Sequence, residues 1–227
     1  ILNKVIYLIY IMERLLAGNN NVMDIVNRIK RDGICILRNY VNKKLLKKID
    51  AEFESILQRH APQNTKNKIV ITNVNSNIIN GEQNRNLNTF LTSPFIRNIA
   101  NNIIHQWKFN NLYIHKDYEN AETNNTYPHF DYYRQLKFYL CVNDMDKSNG
   151  CFKALPNTKK LVEEKRKNNT FLNNFAKGHD RYNGTEIKIE DLIPIECKAG
   201  DLIIFDTNCI HAGGNNFEEG KCRKVIR

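Results

Sequence analysis

The chain has 227 residues, of which 41% are hydrophobic and 26% are charged, so its composition is that of a globular protein rather than a disordered one. The formal net charge is +10, but the basic residues are dispersed and are not interleaved with aromatic residues, which argues against a nucleic-acid partner. We therefore expect a single domain that spans residues 1–227.

Six cysteines form no CxxC pair and no spacing typical of a disulfide framework, and several lie in apolar stretches. This usage predicts free thiols in a reducing compartment, which we take to be the cytoplasm. Near the start, Val5–Met12 is apolar but too short to cross a bilayer, for which roughly 20 residues are needed. We interpret it as a buried helix rather than a signal peptide and expect no stable membrane insertion.

Residues 1–110 are predicted to form a mainly helical N-terminal cover. Apolar residues recur at helical spacing from Asn21 to Arg31, and a short apolar strand follows at Ile34–Leu37. Asn42 is a typical helix cap, and the apolar positions after it predict a second amphipathic helix.

Residues 60–90 are polar and rich in asparagine, so we predict a loop there. The dipeptide Ser93-Pro94 then begins a helix, because proline is favoured at the first helical position. We expect this helix to run from Phe95 to Trp107.

Residues 111–227 are predicted to form a β-rich core. Short apolar stretches alternate there with turn residues, which is typical of an antiparallel sandwich or barrel. The predicted strands are Leu112–His115, Leu136–Val142, Cys151–Leu155, Ile187–Ile189, Leu202–Phe205 and Lys224–Ile226.

Two further features of the β-rich half are a hairpin signal and a predicted insertion. Asn149-Gly150 is a strong hairpin signal, and it predicts that the strand of Tyr139 pairs with the strand of Phe152. Residues 159–184 contain a charged helical stretch and an asparagine-rich stretch, and we predict that they form a lid or insertion.

A candidate metal site begins at His129 and Asp131, two residues apart where an apolar strand starts. Side chains at positions i and i+2 of a strand share one face, so both can contact one ion. A third ligand, His211, ends the apolar run that starts at Ala199. Two histidines and one carboxylate are the set that binds non-heme iron(II), so we predict these three as metal ligands and catalytic residues.

A jelly roll would bring the end of an early strand and the end of a late strand to one mouth, although His129 and His211 are 82 positions apart. Arg223 stands twelve residues after His211, at the start of the last predicted strand. Its planar guanidinium is suited to gripping a carboxylate with two hydrogen bonds. This arrangement suits a keto acid that chelates the metal at one end and pairs with arginine at the other.

Alternatives remain for two of these assignments. His115-Lys-Asp117 has the same spacing as the first pair, although no apolar strand follows it. Lys221 and Lys224 are the alternatives to Arg223.

Several motifs together resemble the phytanoyl-CoA dioxygenase family of iron(II)- and 2-oxoglutarate-dependent oxygenases, over most of the chain. The matching segments are Lys30-Arg-Asp-Gly-Ile-Cys-Ile-Leu-Arg38, His129-Phe-Asp131, Asn149-Gly-Cys-Phe152, Leu155-Pro-Asn-Thr-Lys159, Ala199 to His211, and Arg223. The chain departs from the family at Asn157-Thr158, which replaces Gly-Ser-His, and His211 to Arg223 is one residue longer than is common.

The resemblance implies an α+β fold with a mainly β core, namely a double-stranded β-helix (jelly roll, cupin-like) with N-terminal helices packed on the sheet. It implies Fe(II) as cofactor, 2-oxoglutarate as co-substrate held by Arg223, and a further contribution to that pocket from Tyr139. The partners would be O2 and a small-molecule substrate, and the presence of Asp131 favours hydroxylation, because related halogenases lack this carboxylate.

A non-catalytic jelly-roll binding module with a degenerate metal site is the alternative function. Turnover of 2-oxoglutarate to succinate distinguishes the two. The sequence alone gives neither the substrate nor the oligomeric state.

Overall fold

Helices cover one face of a large antiparallel sheet, and smaller sheets lie near its other face. The computed structural model describes residues 16, 21–60, 72–74, 82–108, 112–118, 126–167, 181–182, 187–214 and 218–227. The helices are α1 (Val22–Asp32), α2 (Lys43–His60), α3 (Arg85–Leu91), α4 (Pro94–Ile103) and α5 (Lys159–Lys167), with 3-10 turns at Glu82–Asn84 and Ile189–Asp191.

The strands are short and lie mostly in the second half of the chain. They are β1 (Ile34–Leu37), β2 (Thr72–Val74), β3 (Leu112–Tyr118), β4 (Phe130–Asp131), β5 (Leu136–Cys141), β6 (Lys153–Leu155), β7 (Arg181–Tyr182), β8 (Ile193–Pro194), β9 (Leu202–Asp206), β10 (Ile210–Ala212) and β11 (Cys222–Ile226).

Helix α1 begins and ends where its sequence predicts. The side chain of Asn21 accepts a hydrogen bond from the Met23 N–H at 2.8 Å, which satisfies one of the free donors of the first turn. Gly33 ends the helix with a positive φ of 82°, and its N–H donates to the Ile29 carbonyl at 2.9 Å. The predicted helix and the strand after it, β1, are thus confirmed.

Helix α2 begins after Asn42, whose side chain accepts from the Leu45 N–H at 3.0 Å, as predicted. It also supports α3, because the Glu52 carboxylate accepts from the N–H groups of Asn86 at 3.1 Å and Leu87 at 2.8 Å. The sequence predicted residues 60–90 to be a loop, which is wrong for α3 and for the short strand β2. The group that caps α3 comes from a distant helix, so its own residues carry no start signal.

The large sheet has the strand order β1-β9-β5-β11-β3-β2, and all its neighbouring strands are antiparallel. Alternate side chains point to opposite faces. One face, which includes Leu140 and Ile204, packs with Phe53 of α2 in one apolar cluster. The opposite face, called the inner face below, carries Phe205 and Val225.

A small sheet with the order β10-β6-β8 covers the inner face. Ala154 of β6 and Ile193 of β8 pack in one apolar cluster with Phe205 and Val225. A further pair, β4 with β7, forms a two-stranded sheet. The mixed helical and antiparallel β fold agrees with the prediction, but the described strands do not form the closed barrel that a jelly roll implies.

The hairpin predicted at Asn149-Gly150 is wrong. Both edges of β5 are occupied, by β9 and β11, so no edge remains for β6. Gly150 has a positive φ of 68° in a turn between the two sheets. The rings of Tyr139 and Phe152 still approach, with centroids 5.7 Å apart, but across the layers rather than within one sheet.

One helix boundary and one strand also differ from prediction. Helix α4 ends at Ile103 rather than at Trp107, because Ile104 adopts extended backbone angles. The strand predicted at Ile187–Ile189 is absent from the described residues, and a 3-10 turn begins there instead. The Asp191 carboxylate stabilises this turn by accepting from the Lys188 N–H at 2.9 Å.

The helical part of the predicted lid packs one side against the protein. Val162 of α5 is fully buried in one cluster with Phe130 and Ile210. Residues 168–180 and 183–186 lie outside the described residues, so the lid stays a prediction for them.

The remaining sequence features concern the cysteines and the membrane. All six cysteines are free thiols, as predicted. Among the described helices, none is both long and apolar enough to cross a membrane. The predicted helix at Val5–Met12 lies outside the described residues.

We predict that Gly200→Ala lowers the free energy of unfolding by about 2–3 kcal/mol. Gly200 has a φ of +93°, and an added Cβ would lie 2.3 Å from the Val41 carbonyl oxygen. Gly220→Ala is the matched control, because φ is +73° but an added Cβ has no atom within 4 Å, so we expect a cost of about 1 kcal/mol. Equal losses in urea denaturation would show that the close backbone approach at Gly200 does not matter.

Candidate metal centre

His129 and His211 meet because their backbones pair. The His129 N–H donates to the His211 carbonyl at 3.0 Å, and the His211 N–H donates to the His129 carbonyl at 2.9 Å. This exchange joins the residue before β4 to the middle of β10 and places both side chains on one face. The ring centroids are 4.4 Å apart, and both residues are buried.

Both imidazole rings hydrogen-bond to backbone carbonyls through Nδ1. His129 Nδ1 lies 2.8 Å from the Tyr127 carbonyl oxygen, and His211 Nδ1 lies 2.8 Å from the Cys209 carbonyl oxygen. A carbonyl only accepts, so each Nδ1 must carry the proton and donate it. Burial, with the neighbouring His129 adding to it, holds the pKa of His211 well below its ordinary value. His211 is therefore neutral, with a lone pair on Nε2.

Asp131 completes a group of three possible ligands. Its Oδ1 lies 3.9 Å from His129 Nε2 and 3.8 Å from His211 Nε2. One donor atom from each residue lies within 4.8 Å of the others, so the three can hold one metal ion. Two imidazole nitrogens and one carboxylate oxygen fit iron(II), as predicted from the sequence.

Lys137 is a residue of the site that the sequence reasoning missed. Its ammonium forms an ion pair with Asp131 Oδ2, and both side chains are largely buried. Burial alone would raise the pKa of Asp131, but the charge and hydrogen bond of Lys137 together with the neighbouring His211 and His129 outweigh it, so this pKa lies below its ordinary value. A signal was present, because Lys137 interrupts an apolar strand and shares the inner face with Tyr139.

Tyr139 is near the centre. Its ring lies 5.5 Å from that of Phe205, and the Phe205 ring lies 5.0 Å from the His211 ring, as measured between centroids. Phe152 also lies against both Tyr139 and His211, at 5.7 and 5.8 Å. The predicted Tyr139 therefore belongs to an aromatic cluster that reaches one of the metal ligands.

Arg223 lies on the inner face of β11, two residues from Val225. Its Nε donates to Asp117 Oδ2 at 2.9 Å, its Nη2 contacts the same oxygen, and its Nη1 donates to the Gly150 carbonyl. The guanidinium is thus inside the protein, as predicted, but it already pairs with the buried Asp117 carboxylate. Asp117 Oδ1 is buried with no hydrogen-bond partner among the described residues.

The alternatives to these residues lie elsewhere. Lys224 points to the helical side of the sheet, where it pairs with Asp50 at 2.9 Å and Glu54 at 2.8 Å. Lys221 is exposed.

His115 is not part of the group that can hold a metal within the described ranges, and the nearby Asp117 pairs with Arg223.

A second arginine, Arg227, shares the inner face with Arg223. Its guanidinium carbon lies 4.4 Å from the ring centroid of Tyr113 and 5.8 Å from that of Tyr139. Its Nε is buried with no hydrogen-bond partner within the described part of the chain. The sequence did not single out Arg227, because Arg223 is the first arginine after His211.

We predict that Lys137→Met lowers the free energy of unfolding of the metal-free protein by about 3–5 kcal/mol, because it leaves the buried Asp131 carboxylate without its counter-ion. Chemical denaturation measures this loss. Lys160→Met, which removes an exposed lysine, is the control and should change stability by less than about 0.5 kcal/mol.

The double variant Lys137→Met with Asp131→Asn removes both charges and should recover part of the loss. A Lys137→Met protein as stable as the unmodified one would contradict the role of this ion pair.

Known structures share the fold. The epimerase SnoN, solved in complex with Fe3+, alpha ketoglutarate and nogalamycin RO, superposes with a TM-score of 0.61 and 15% identity over 90% of this chain and 81% of SnoN. AviO1 from Streptomyces viridochromogenes superposes with a TM-score of 0.58 and 14% identity over 92% of this chain and 94% of AviO1. At these identities the likeness is one of fold.

The sequence comparisons differ in outcome. No curated protein sequence matches the chain. Residues 29–225, however, match the family described as phytanoyl-CoA dioxygenase (PhyH), and this match covers most of the sequence. The chain therefore belongs to the phytanoyl-CoA dioxygenase family.

Proposed function

We propose that the protein is an Fe(II)- and 2-oxoglutarate-dependent dioxygenase that hydroxylates a small organic substrate. The observation that carries this proposal is the convergence of one donor atom each from His129, Asp131 and His211, with both imidazole Nε2 atoms within 4 Å of Asp131 Oδ1. Family membership supports it, as does the fold shared with SnoN, whose structure holds Fe3+ and alpha ketoglutarate.

Each residue of the centre has a role in this proposal. His129 and His211 would bind the iron through Nε2, and Asp131 through Oδ1, while Lys137 holds Oδ2 and balances the buried charge. When bound, Fe(II) with 2-oxoglutarate would activate O2, and decarboxylation of 2-oxoglutarate to succinate and CO2 would accompany hydroxylation of a substrate C–H bond.

Arg223 is the proposed partner of the far carboxylate of 2-oxoglutarate. Its guanidinium can present two parallel donors to a carboxylate, and it now presents them to Asp117. Binding of the co-substrate would therefore need the arginine to share or exchange this partner. Tyr139, in the aromatic cluster beside His211, would line the same pocket.

The packing of a small sheet on a large one supports the proposal of a jelly-roll topology, with the centre between the layers. The small-molecule substrate, the absence of a nucleic-acid partner and a cytoplasmic location remain predictions from the sequence.

We predict that the protein loaded with Fe(II) converts 2-oxoglutarate to succinate, and that His129→Ala or Asp131→Ala reduces this conversion by at least about 100-fold. Succinate measured by chromatography is the readout. His105→Ala removes an exposed histidine and should leave the rate unchanged.

Two results would contradict the proposal. Full turnover in a folded His129→Ala or Asp131→Ala protein would exclude these residues as ligands. No turnover by the unmodified protein, despite metal binding, would favour the non-catalytic binding module. Mass spectrometry of a converted substrate then distinguishes hydroxylation, which adds an oxygen atom, from an epimerisation of the kind SnoN is named for, which adds none.

A second prediction concerns Arg223. In an Asp117→Asn background, where the buried carboxylate no longer needs a counter-ion, Arg223→Met should raise the 2-oxoglutarate concentration for half-maximal turnover at least about tenfold. Asp117→Asn alone keeps the guanidinium and should leave this concentration unchanged or lower.

Lys221→Met and Arg227→Met are the comparisons for this measurement. Lys221 is the cation just before β11, and Arg227 is the cation just after it. A tenfold rise with either of them, and none with Arg223→Met, would move the carboxylate partner to that residue.

A further inference from the structure

Arg166, in the last turn of α5, contacts both segments that carry the metal ligands. Its Nη2 donates to the carbonyl oxygen of Asp131 and its Nη1 to that of Tyr132, each at 2.6 Å. Its Nε donates to Asn208 Oδ1 at 2.9 Å, and Asn208 precedes His211 by three residues. One rigid guanidinium thus joins the backbone of the His129–Asp131 segment to the loop that leads into β10.

The guanidinium also lies near a buried aromatic ring. Its carbon lies 5.0 Å from the centroid of the Phe130 ring, the side chain between the two ligands of the first segment. Phe130 is fully buried, and its cluster with Val162 and Ile210 packs α5 against β4 and β10. The contact therefore adds a cation–π attraction between the guanidinium and a side chain held in the core.

Two polar contacts at the other end of α5 fix the helix on the same loop. Lys159 Nζ lies 3.2 Å from the fully buried Asp206 carboxylate. Thr158 Oγ1, just before the helix, accepts from the Ile210 N–H at 2.8 Å. Arg166 is thus presented by a helix that is already attached to the residues flanking His211.

We propose that Arg166 is a positioning residue for the metal centre, and that it holds the Asp131 segment and the His211 segment at the separation a metal ion requires. This inference rests on the proposed metal site. The effect of Arg166 would pass through the two carbonyl oxygens and Asn208.

Binding of Co(II) alone, followed by its visible absorption and by calorimetry, tests this without any substrate. Arg166→Met should raise the Co(II) dissociation constant by about 10- to 100-fold, as loss of an outer-sphere partner typically does. Arg166→Lys should recover only part of the affinity, because an ammonium cannot present the fork to both carbonyl oxygens. Lys167→Met, an exposed residue of the same helix, is the control and should bind Co(II) as the unmodified protein does.

Asn208→Ala, which keeps the guanidinium but removes its contact with the His211 loop, should raise the constant by a smaller factor. It also provides the measurement if Arg166→Met does not fold. A role in folding alone would lower the melting temperature and leave Co(II) affinity unchanged at temperatures where the protein is folded. That result, in Arg166→Met or in Asn208→Ala, would overturn the inference.

The same titrations separate this inference from the proposed function. Co(II) binding by the unmodified protein that Asp131→Ala abolishes supports the metal site, whatever Arg166 does. A protein that binds no Co(II), or an Asp131→Ala variant that binds it equally well, would overturn both.

Discussion

The metal centre depends on one backbone pairing, in which His129 and His211 exchange N–H···O bonds of 3.0 and 2.9 Å. The two residues are 82 positions apart, so nothing local brings them together. A shift of one residue in this pairing would turn one imidazole to the opposite face, because side chains alternate along a strand. The chemistry of the site is therefore a property of strand register as much as of the residues themselves.

Charge on the inner face is arranged in pairs. Lys137 faces Asp131, and Arg223 faces Asp117, both in largely buried surroundings. Apolar residues of similar volume would often be as stable or more stable at such positions, since both charges must be removed from water. Two buried pairs beside three convergent candidate ligands therefore indicate a surface selected for function rather than a core optimised for stability.

Local patterns were enough to predict the first two helices and to select three candidate ligands that the fold brings together. The His129-Phe-Asp131 spacing, the apolar run before His211 and the caps at Asn21 and Asn42 all act within a few residues. Contacts supplied from a distance were not predictable, such as the Glu52 carboxylate of α2 that accepts from the first N–H groups of α3. The hairpin prediction at Asn149-Gly150 was wrong for the same reason. The neighbours of β5 are the distant strands β9 and β11, and a turn sequence carries no information about distant strands.

Each imidazole ring takes its orientation from its own strand, through the carbonyl two residues earlier, at Tyr127 for one and Cys209 for the other. Neither ring needs the other, or a bound ion, to settle its tautomer. The Nε2 lone pairs would therefore already be oriented before an ion binds. Binding would then cost little rotational freedom of the two imidazole rings. The loss of side-chain entropy occurs during folding, so the site is preorganised for a metal ion.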